Sequence, residues 1–157
     1  MRTIFIIRHA EKPPDGPHLS ERGYERAQAL ADLFGSCFAR PDALFAAATS
    51  PKSARPVETL EPLAARLGLT IEAGFGTEEV DRLARHVRDA PGAGRIALIS
   101  WRHDAMAPLA RALGAGDPPS AWPQDVFDRV WRLLVLADGS VRFADLAQAL
   151  LPGDAPS

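Results

Sequence analysis

The sequence contains a single cysteine, Cys37, among its 157 residues. One cysteine excludes an intramolecular disulfide and a thiolate metal cluster, and it favours a reducing compartment, for which we predict the cytoplasm. Because Cys37 follows an apolar helical face, we interpret it as a small hydrophobic residue rather than as a nucleophile.

The net charge of the chain is small, and the sequence has no long apolar run. The formal net charge is −2, so no basic excess indicates attraction to nucleic acid or to a membrane surface. No run approaches transmembrane length, and the first apolar run ends at Arg8, too early for a signal peptide. The four histidines include no His-x-x-x-His pair, so the sequence predicts no metal cofactor.

The overall composition of the chain is that of a globular domain. Hydrophobic residues make up 46% of the chain and charged residues 24%, which together with the length predicts one domain over residues 1–151. The last segment, residues 152–157, consists of proline, glycine, alanine, serine and aspartate, and we predict that it is a flexible tail.

Short apolar runs alternate with helical patterns along most of the chain. They predict strands over residues 3–7, 43–48, 69–72 and 96–99, with a helix after each, the third of these ending at Pro91 and Gly92. This alternation predicts a three-layer α/β/α sandwich around a mostly parallel sheet. The Asp138-Gly139 pair predicts a hairpin between residues 130–136 and 140–144, and therefore an antiparallel edge.

Charged and polar side chains follow three of the predicted strands. Arg8 and His9 follow the first strand, Arg55 lies beyond the second, and His103 and Asp104 come after the fourth. Because the carboxyl ends of parallel strands share one edge of a sheet, we expect these groups to converge. Guanidinium groups match phosphate oxygens, and a neutral imidazole is a competent nucleophile toward phosphorus. The pattern therefore indicates a phosphoryl-binding site.

Taken in order, these motifs resemble those of the histidine phosphatase superfamily, whose fold is called phosphoglycerate mutase-like. Residues 8–11 (RHAE) stand in for the family's Arg-His-Gly tract, residues 55–59 (RPVET) for its second-arginine segment, and residues 99–104 (ISWRHD) for the strand leading to its second histidine. The resemblance spans residues 3–114. The chain is shorter than a mutase and close in size to small phosphohistidine phosphatases, which favours hydrolysis.

The resemblance implies a role for each matched residue. His9 would accept the phosphoryl group as a phosphohistidine, while Arg8, Arg55 and His103 would bind and polarise its oxygens without a metal ion. Arg102, where the family commonly has glycine, either adds an anion contact or faces solvent. Two further expectations concern neighbouring residues: His18 lines the mouth of the cleft, and Ala10, in place of glycine, narrows the approach to it.

The proton donor for the leaving group is open between three carboxyl groups. Asp104 directly follows His103, while Glu78 and Glu79 lie near the position where another branch of the superfamily has a glutamate. We favour Asp104 as the donor, because its neighbour His103 must already face the phosphate.

Two classes of function fit the sequence. The first is a metal-independent phosphatase acting on a phosphorylated small molecule or on a phosphoprotein, including protein phosphohistidine. The second is a non-catalytic phosphate-binding module on the same fold. The presence of all four phosphate-pocket residues favours the enzyme. We interpret Trp101, Trp122 and Trp131 all as core residues rather than ligand contacts, and of the three Trp122, in a proline-rich loop, is the first to consider as an exception.

Overall fold

A six-stranded sheet forms the middle of the protein, in a computed structural model that describes residues 1–89, 94–119 and 121–157. The strand order across the sheet is β3-β2-β4-β1-β5-β6. The strands are β1 (Arg2–Arg8), β2 (Ala43–Ala47), β3 (Ile71–Phe75), β4 (Ile96–Trp101), β5 (Arg129–Val135) and β6 (Val141–Ala147).

Strand direction follows the predicted pattern. β1 and β2 both run parallel to β4, and β3 runs parallel to β2. β5 pairs antiparallel with β1 on one side and with β6 on the other, and Gly139 in the turn between β5 and β6 has a φ of +86°. The prediction of a mostly parallel sheet with an antiparallel edge is confirmed.

Helices cover both faces of the sheet. They are α1 (Glu21–Ser36), α2 (Arg55–Leu67), α3 (Val80–Asp89) and α4 (Met106–Ala112), with a short 3-10 turn over His103–Ala105. Alternate residues of β1 point to opposite faces, so Phe5 packs with α1 and α2 while Ile6 packs with α3 and α4. These two cores make the predicted three-layer sandwich.

Two local predictions, for Cys37 and for the start of β3, differ from the structure, and a third lies outside the described residues. Cys37 is exposed rather than packed, because it lies just beyond Phe34 and Gly35, where the backbone of α1 leaves helical geometry. β3 starts at Ile71, later than predicted, because Gly68 (φ +67°) ends α2 and the Leu69 N–H still bonds to the helix at Ala64, 3.0 Å away. The predicted helix end at Pro91 and Gly92 lies outside the described residues.

Hydrogen bonds join the C-terminal segment, predicted from its composition to be a flexible tail, to the rest of the domain, and several of them involve Asp154. Asp154 accepts hydrogen bonds from Arg26 at 2.8 and 2.9 Å, and from the backbone N–H groups of Leu150 and Leu151 at 3.0 and 3.1 Å. Its side chain is only 4% exposed. In the part of the chain that the structure describes, no helix is both long and apolar enough to cross a membrane.

Candidate active site

The predicted site residues meet at one edge of the sheet. Arg8 is the last residue of β1 and lies opposite Trp101, the last residue of β4, in the parallel ladder. The His9 N–H continues this pairing with a 3.0 Å bond to the Trp101 carbonyl. Arg55, the first residue of α2, follows the neighbouring strand β2. Strand order and direction therefore bring Arg8, His9, Arg55 and the segment after Trp101 to the same edge.

His9 is buried and held in one orientation. It is 2% exposed, and its Nδ1 lies 2.8 Å from the Ala10 carbonyl oxygen. Because a carbonyl only accepts, Nδ1 carries the proton and the lone pair is on Nε2. Burial, reinforced by the nearby positive charges of Arg8 and Arg55, lowers the pKa of His9 to about 3. The imidazole is therefore neutral and nucleophilic at physiological pH.

Arg8 is fixed on one side and open on the other. Its Nη1 donates to the carbonyls of Gln124 and Val126, and the Phe127 ring centre lies 3.8 Å from its guanidinium carbon. Within the described residues, its buried Nε and Nη2 have no hydrogen-bond partner. Burial lowers the pKa of Arg8 to about 10, which leaves it charged near neutrality. Two N–H donors of a buried cation are thus available to an anion.

The Arg55 guanidinium, like that of Arg8, is hydrogen-bonded to the protein at one nitrogen and has no partner at another. Its Nη1 donates to the Gly16 carbonyl at 2.7 Å, while its buried Nε has no partner among the described residues. Thr59, one turn along α2, donates to the Arg55 carbonyl at 2.7 Å and accepts from the Ala10 N–H at 2.9 Å. This shared hydroxyl connects the helix that carries Arg55 to the loop that carries His9.

Ala10 turns its methyl group into the domain. It is fully buried and packs with Leu19 and Ala27 in a small apolar cluster. The methyl group therefore occupies a packed position rather than open space, and its predicted narrowing of the cleft finds no support in this packing.

His103 lies on the 3-10 turn after β4. Its Nδ1 is buried and has no partner in the described part of the chain. Burial, and then the charge of Arg8, lowers the pKa of His103. The charge of Arg8 thus contributes to the lowered pKa of both His9 and His103.

The Asp104 carboxylate is paired with the guanidinium of Arg102. Arg102 donates to both of its carboxylate oxygens, at 2.7 and 2.6 Å, in a pair that is about half exposed. This pairing with Arg102 lowers the pKa of Asp104 and keeps it ionised. A carboxylate in this state has no proton to donate, which opposes the role of leaving-group acid. Because Arg102 Nε and Nη2 both donate to Asp104, these two nitrogens are already engaged in this pair.

The two glutamates have different surroundings. Glu79 accepts from the Gly76 N–H at 2.9 Å and pairs with Arg82, and the Gly76 hydrogen bond lowers its pKa. For Glu78 the structure shows one hydrogen bond, from the Thr77 hydroxyl at 3.2 Å. The Trp101 indole N–H donates to the Thr77 carbonyl at 3.0 Å, which fixes this loop to the end of β4. Glu78 therefore lies in a loop attached to the end of β4, and no arginine among the described residues pairs with its carboxyl group.

His18, predicted to line the mouth of the cleft, lies in the loop between β1 and α1. Its side chain is 63% exposed, and its Nδ1 lies 2.9 Å from Glu58 on α2. Glu58 also accepts from the Leu19 N–H at 3.1 Å and from the Tyr24 hydroxyl at 2.9 Å. The loop is thus fastened to the helix that begins with Arg55.

Sequence reasoning missed the aromatic residue at the site. Trp122 is 2% exposed and donates to the Val126 carbonyl at 2.7 Å, so it is a core residue and not the exception considered from the sequence. Phe127 instead lies against Arg8, and its ring centre is 6.2 Å from that of His9. No motif marks Phe127 in the sequence, because its contacts come from residues more than a hundred positions away.

Among the described residues, no cluster of three or more histidine, cysteine, aspartate or glutamate side chains is arranged to hold a metal ion. Two guanidinium groups and two imidazoles supply the available charge and hydrogen-bond donors. The arrangement can bind a tetrahedral oxyanion and present a neutral nitrogen to its central atom.

Comparison with known proteins relates the chain to solved structures alone. No protein-family model and no curated protein matches the sequence. The protein histidine phosphatase SixA, complexed with tungstate, superposes with a TM-score of 0.70 at 16% identity, over 93% of this chain and 97% of the other. The mycobacterial glucosyl-3-phosphoglycerate phosphatase complexed with inorganic phosphate gives 0.61 at 17% identity, covering 92% and 95%. The alpha-ribazole phosphatase from Shigella flexneri gives 0.66 at 13% identity, covering 98% and 100%. The chain therefore has the phosphoglycerate mutase-like fold of these phosphatases.

Proposed function

We propose that the protein is a metal-independent phosphatase that hydrolyses phosphomonoesters or protein phosphohistidine through a phosphohistidine on His9. One observation carries this proposal: His9 is neutral with its lone pair on Nε2, and at the same edge of the sheet buried guanidinium N–H groups of Arg8 and Arg55 have no hydrogen-bond partner among the described residues. Buried polar groups are rarely left unpaired in proteins, so these donors imply an anionic ligand. The shared fold with three phosphatases supports the same assignment.

The first half of the reaction transfers the phosphoryl group. Arg8, Arg55 and His103 bind its non-bridging oxygens, and the His9 Nε2 lone pair attacks phosphorus. As the N–P bond forms, the bond from phosphorus to the leaving oxygen breaks, and a carboxylic acid protonates that oxygen. The negative charge that develops on the equatorial oxygens faces arginines that are already in position.

The second half regenerates the enzyme. Water attacks the phosphorus of the phosphohistidine, the same carboxylate accepts the proton of that water, and the P–N bond breaks. Inorganic phosphate leaves and His9 returns to its neutral form. Of the three carboxyl groups predicted for this role, Asp104 is paired with Arg102 and Glu79 with Arg82, which supports Glu78 over Asp104.

A substitution of His9 provides the direct test of this function. We expect His9→Ala to abolish hydrolysis of nitrophenyl phosphate, whereas His86→Ala, at a histidine beside Glu72 on another face, keeps wild-type activity. Rapid quenching of the wild type should trap acid-labile phosphate, and none should be found on His9→Ala. Circular dichroism of both variants checks that the fold is intact.

Assay conditions separate the alternatives. Activity should persist in excess chelator, and vanadate, which mimics pentacoordinate phosphorus, should inhibit it. Turnover retained by His9→Ala would remove the nucleophile assignment, and activity that is lost in chelator and restored by a metal would contradict the metal-independent mechanism. Phosphate binding in calorimetry without any turnover would identify the protein as a binding module.

The class of substrate, the binding partners and the cellular location of the protein are also proposals. The pocket residues bind a phosphoryl group and do not by themselves distinguish a phosphorylated small molecule from a phosphoprotein. The absence of a nucleic-acid partner and the location in the cytoplasm remain predictions from the net charge of −2 and the single cysteine.

A further inference from the structure

A cavity of about 450 Å³ opens beside the proposed phosphate pocket. Phe127 separates the two: its ring lies 3.8 Å from the Arg8 guanidinium carbon, and the same residue lines the cavity. Glu11, two residues after His9, also lines it. The volume is within the range of cavities that hold small ligands. The cavity is therefore adjacent to the position where a phosphoryl group would bind.

The wall of this cavity carries an excess of negative charge. It contains the four carboxylates of Glu11, Asp125, Asp128 and Asp154 but only two guanidinium groups, and we therefore refer to it as the acidic cleft. One of the guanidiniums, that of Arg26, forms two-pronged pairs with Glu11 and Asp154, at 2.8 to 2.9 Å.

The second guanidinium of the acidic cleft, that of Arg22, does not remove the excess of negative charge. Arg22 also pairs with Glu11 and Asp154, so neither arginine pairs with Asp125 or Asp128. Asp128 accepts from the Ala155 N–H at 2.8 Å, and Asp125 has no hydrogen bond or ion pair within the described residues. The uncompensated charge is thus carried by Asp125 and Asp128.

The carboxylates of the acidic cleft are within electrostatic reach of the phosphate pocket. Burial lowers the pKa of Arg8, and the charges of Glu11 and Asp125 oppose that shift. Arg8 itself is 1% exposed, with Nε and Nη2 unpartnered among the described residues. The Gln124 and Val126 carbonyls, which accept from Arg8 Nη1, flank Asp125 in the chain, so Asp125 lies beside the guanidinium that would bind the phosphoryl group.

We propose that the acidic cleft receives the leaving group of the substrate, and that it selects leaving groups carrying an ammonium or guanidinium group over those carrying a second anion. The proposal rests on the function assigned above, since Arg8 and His9 must hold the phosphoryl group. Asp125 attracts a cation beside the phosphoryl group and repels an anion in the same place. Phe127 offers its ring to the carbon chain or to the cation itself.

The cationic side chains around the site do not cancel this preference. Lys12 is exposed, and its charge acts on both His9 and His103, so it lies near the phosphoryl position. It would attract the phosphoryl charge that all substrates share. Discrimination between leaving groups is therefore left to the charges that line the cleft.

Three alkyl phosphates of similar size test the proposal. O-phosphoethanolamine presents an ammonium group, ethyl phosphate no charge, and phosphoglycolate a carboxylate. We expect kcat/KM to fall in that order for the wild type, with about a tenfold ratio between the first and the last, the size expected for one nearby charge in a partly solvated cleft. The ratio should shrink as salt is added.

Charge variants locate the source of the preference. Asp125→Asn should bring the ratio close to one, and Asp125→Lys should invert it in favour of phosphoglycolate. The matched control is Asp138→Asn, which makes the same change in net charge in the β5–β6 turn. That turn lies at the opposite edge of the sheet, because Val135 pairs with Arg2 at the start of β1. The control should keep the wild-type ratio.

A binding measurement distinguishes failure of this proposal from failure of the proposed function. Calorimetry with O-phosphoethanolamine and phosphoglycolate reads the same preference without turnover. A preference in binding with no hydrolysis would disprove the phosphatase and retain the cleft assignment. Equal binding and equal hydrolysis of the two compounds, or the same change in Asp125→Asn and Asp138→Asn, would overturn the proposal for the cleft.

Discussion

At the scale of single residues, the state of His9 follows from its burial. Nδ1 is committed to the Ala10 carbonyl, so protonation would have to occur on Nε2, inside a pocket that two arginines already make positive. The same environment that keeps Nε2 free for attack on phosphorus therefore makes the imidazolium form unfavourable. This coupling between reactivity and protonation has a measurable effect on stability.

We expect the protein to lose stability in mild acid because of His9. Its pKa is about 3 in the folded protein against an ordinary value of 6.5, so between these values the unfolded chain binds a proton that the folded chain does not. The contribution of His9 is constant above pH 6.5 and falls by about 2 kcal/mol between pH ~7 and pH ~5. Urea denaturation of wild type and His9→Gln at several pH values should show a shallower pH slope for the variant. Equal slopes would contradict the buried neutral state of His9.

The identity of the leaving-group acid is decided by substrate chemistry. An alkoxide leaving group needs a proton and a nitrophenolate hardly does, so loss of the acid should slow alkyl phosphates selectively, by ~10²- to 10⁴-fold. Because Asp104 is paired with Arg102, we expect this selective loss in Glu78→Gln and a smaller, unselective effect in Asp104→Asn.

Glu79→Gln is the control for that comparison, since Glu79 is already bound to Gly76 and Arg82. Each variant is assayed on ethyl phosphate and on nitrophenyl phosphate, and the ratio of the two kcat/KM values is compared with the wild type. A selective loss in Asp104→Asn alone would restore Asp104 to the role that its position in the sequence suggests.

At the scale of elements, helix α1 and the loop after β1 are packed into direct backbone contact. A Cβ atom on Gly23 would lie 2.2 Å from the Glu11 carbonyl oxygen, much closer than any real contact. That carbonyl also accepts the Ser20 N–H at 2.9 Å. The glycine in the first turn of α1 therefore allows the helix to lie against the segment that carries His9.

Gly23→Ala should destabilise the protein although alanine favours helices by about 1 kcal/mol over glycine. The added methyl group forces Glu11 away from α1, and we expect a net loss of about 1–3 kcal/mol together with reduced kcat. Gly74→Ala, in β3, is the control because its Cβ would meet nothing within 4 Å. Urea denaturation and nitrophenyl phosphate assays give both quantities. Wild-type stability in Gly23→Ala would refute the close contact.

At the scale of the whole molecule, Arg26 joins the two ends of the domain. Its buried guanidinium binds Glu11 after β1, Gln148 after β6 and Asp154 in the C-terminal segment. A buried cation of this kind is stable only while its partners remain, since removal of one leaves an uncompensated charge.

Asp154→Asn should therefore cost about 3 kcal/mol of unfolding free energy, within the range found for broken buried ion pairs. The Asp154 side chain is 4% exposed and that of Arg26 2%, so little solvent screening reduces this value. Asp138→Asn, at an exposed turn, should leave stability close to that of the wild type. Both are measured by urea denaturation at neutral pH. If the two variants unfold at the same urea concentration, the Arg26 cluster does not stabilise the fold.

Local patterns in the sequence determined the class of fold and the edge of the sheet that carries the site. Apolar runs, helical spacing and the Asp138-Gly139 turn act over a few residues, and they sufficed for a mostly parallel sheet with an antiparallel edge. The polar residues that end β1 and follow β2 and β4 converge because parallel strands share an edge. The sequence thus identified Arg8, His9, Arg55 and His103 as one group.

Only the tertiary structure decided which partner each side chain has. Phe127 lies on Arg8 and Asp154 binds Arg26 through contacts between segments far apart in the chain. Such contacts depend on the relative placement of whole elements, which no local pattern encodes. Arg102 and Asp104 are close in sequence, yet their pairing depends on the backbone of the 3-10 turn after β4 and not on their spacing alone. Strand order and strand ends are properties of short segments, whereas side-chain pairing and pKa are properties of the assembled molecule.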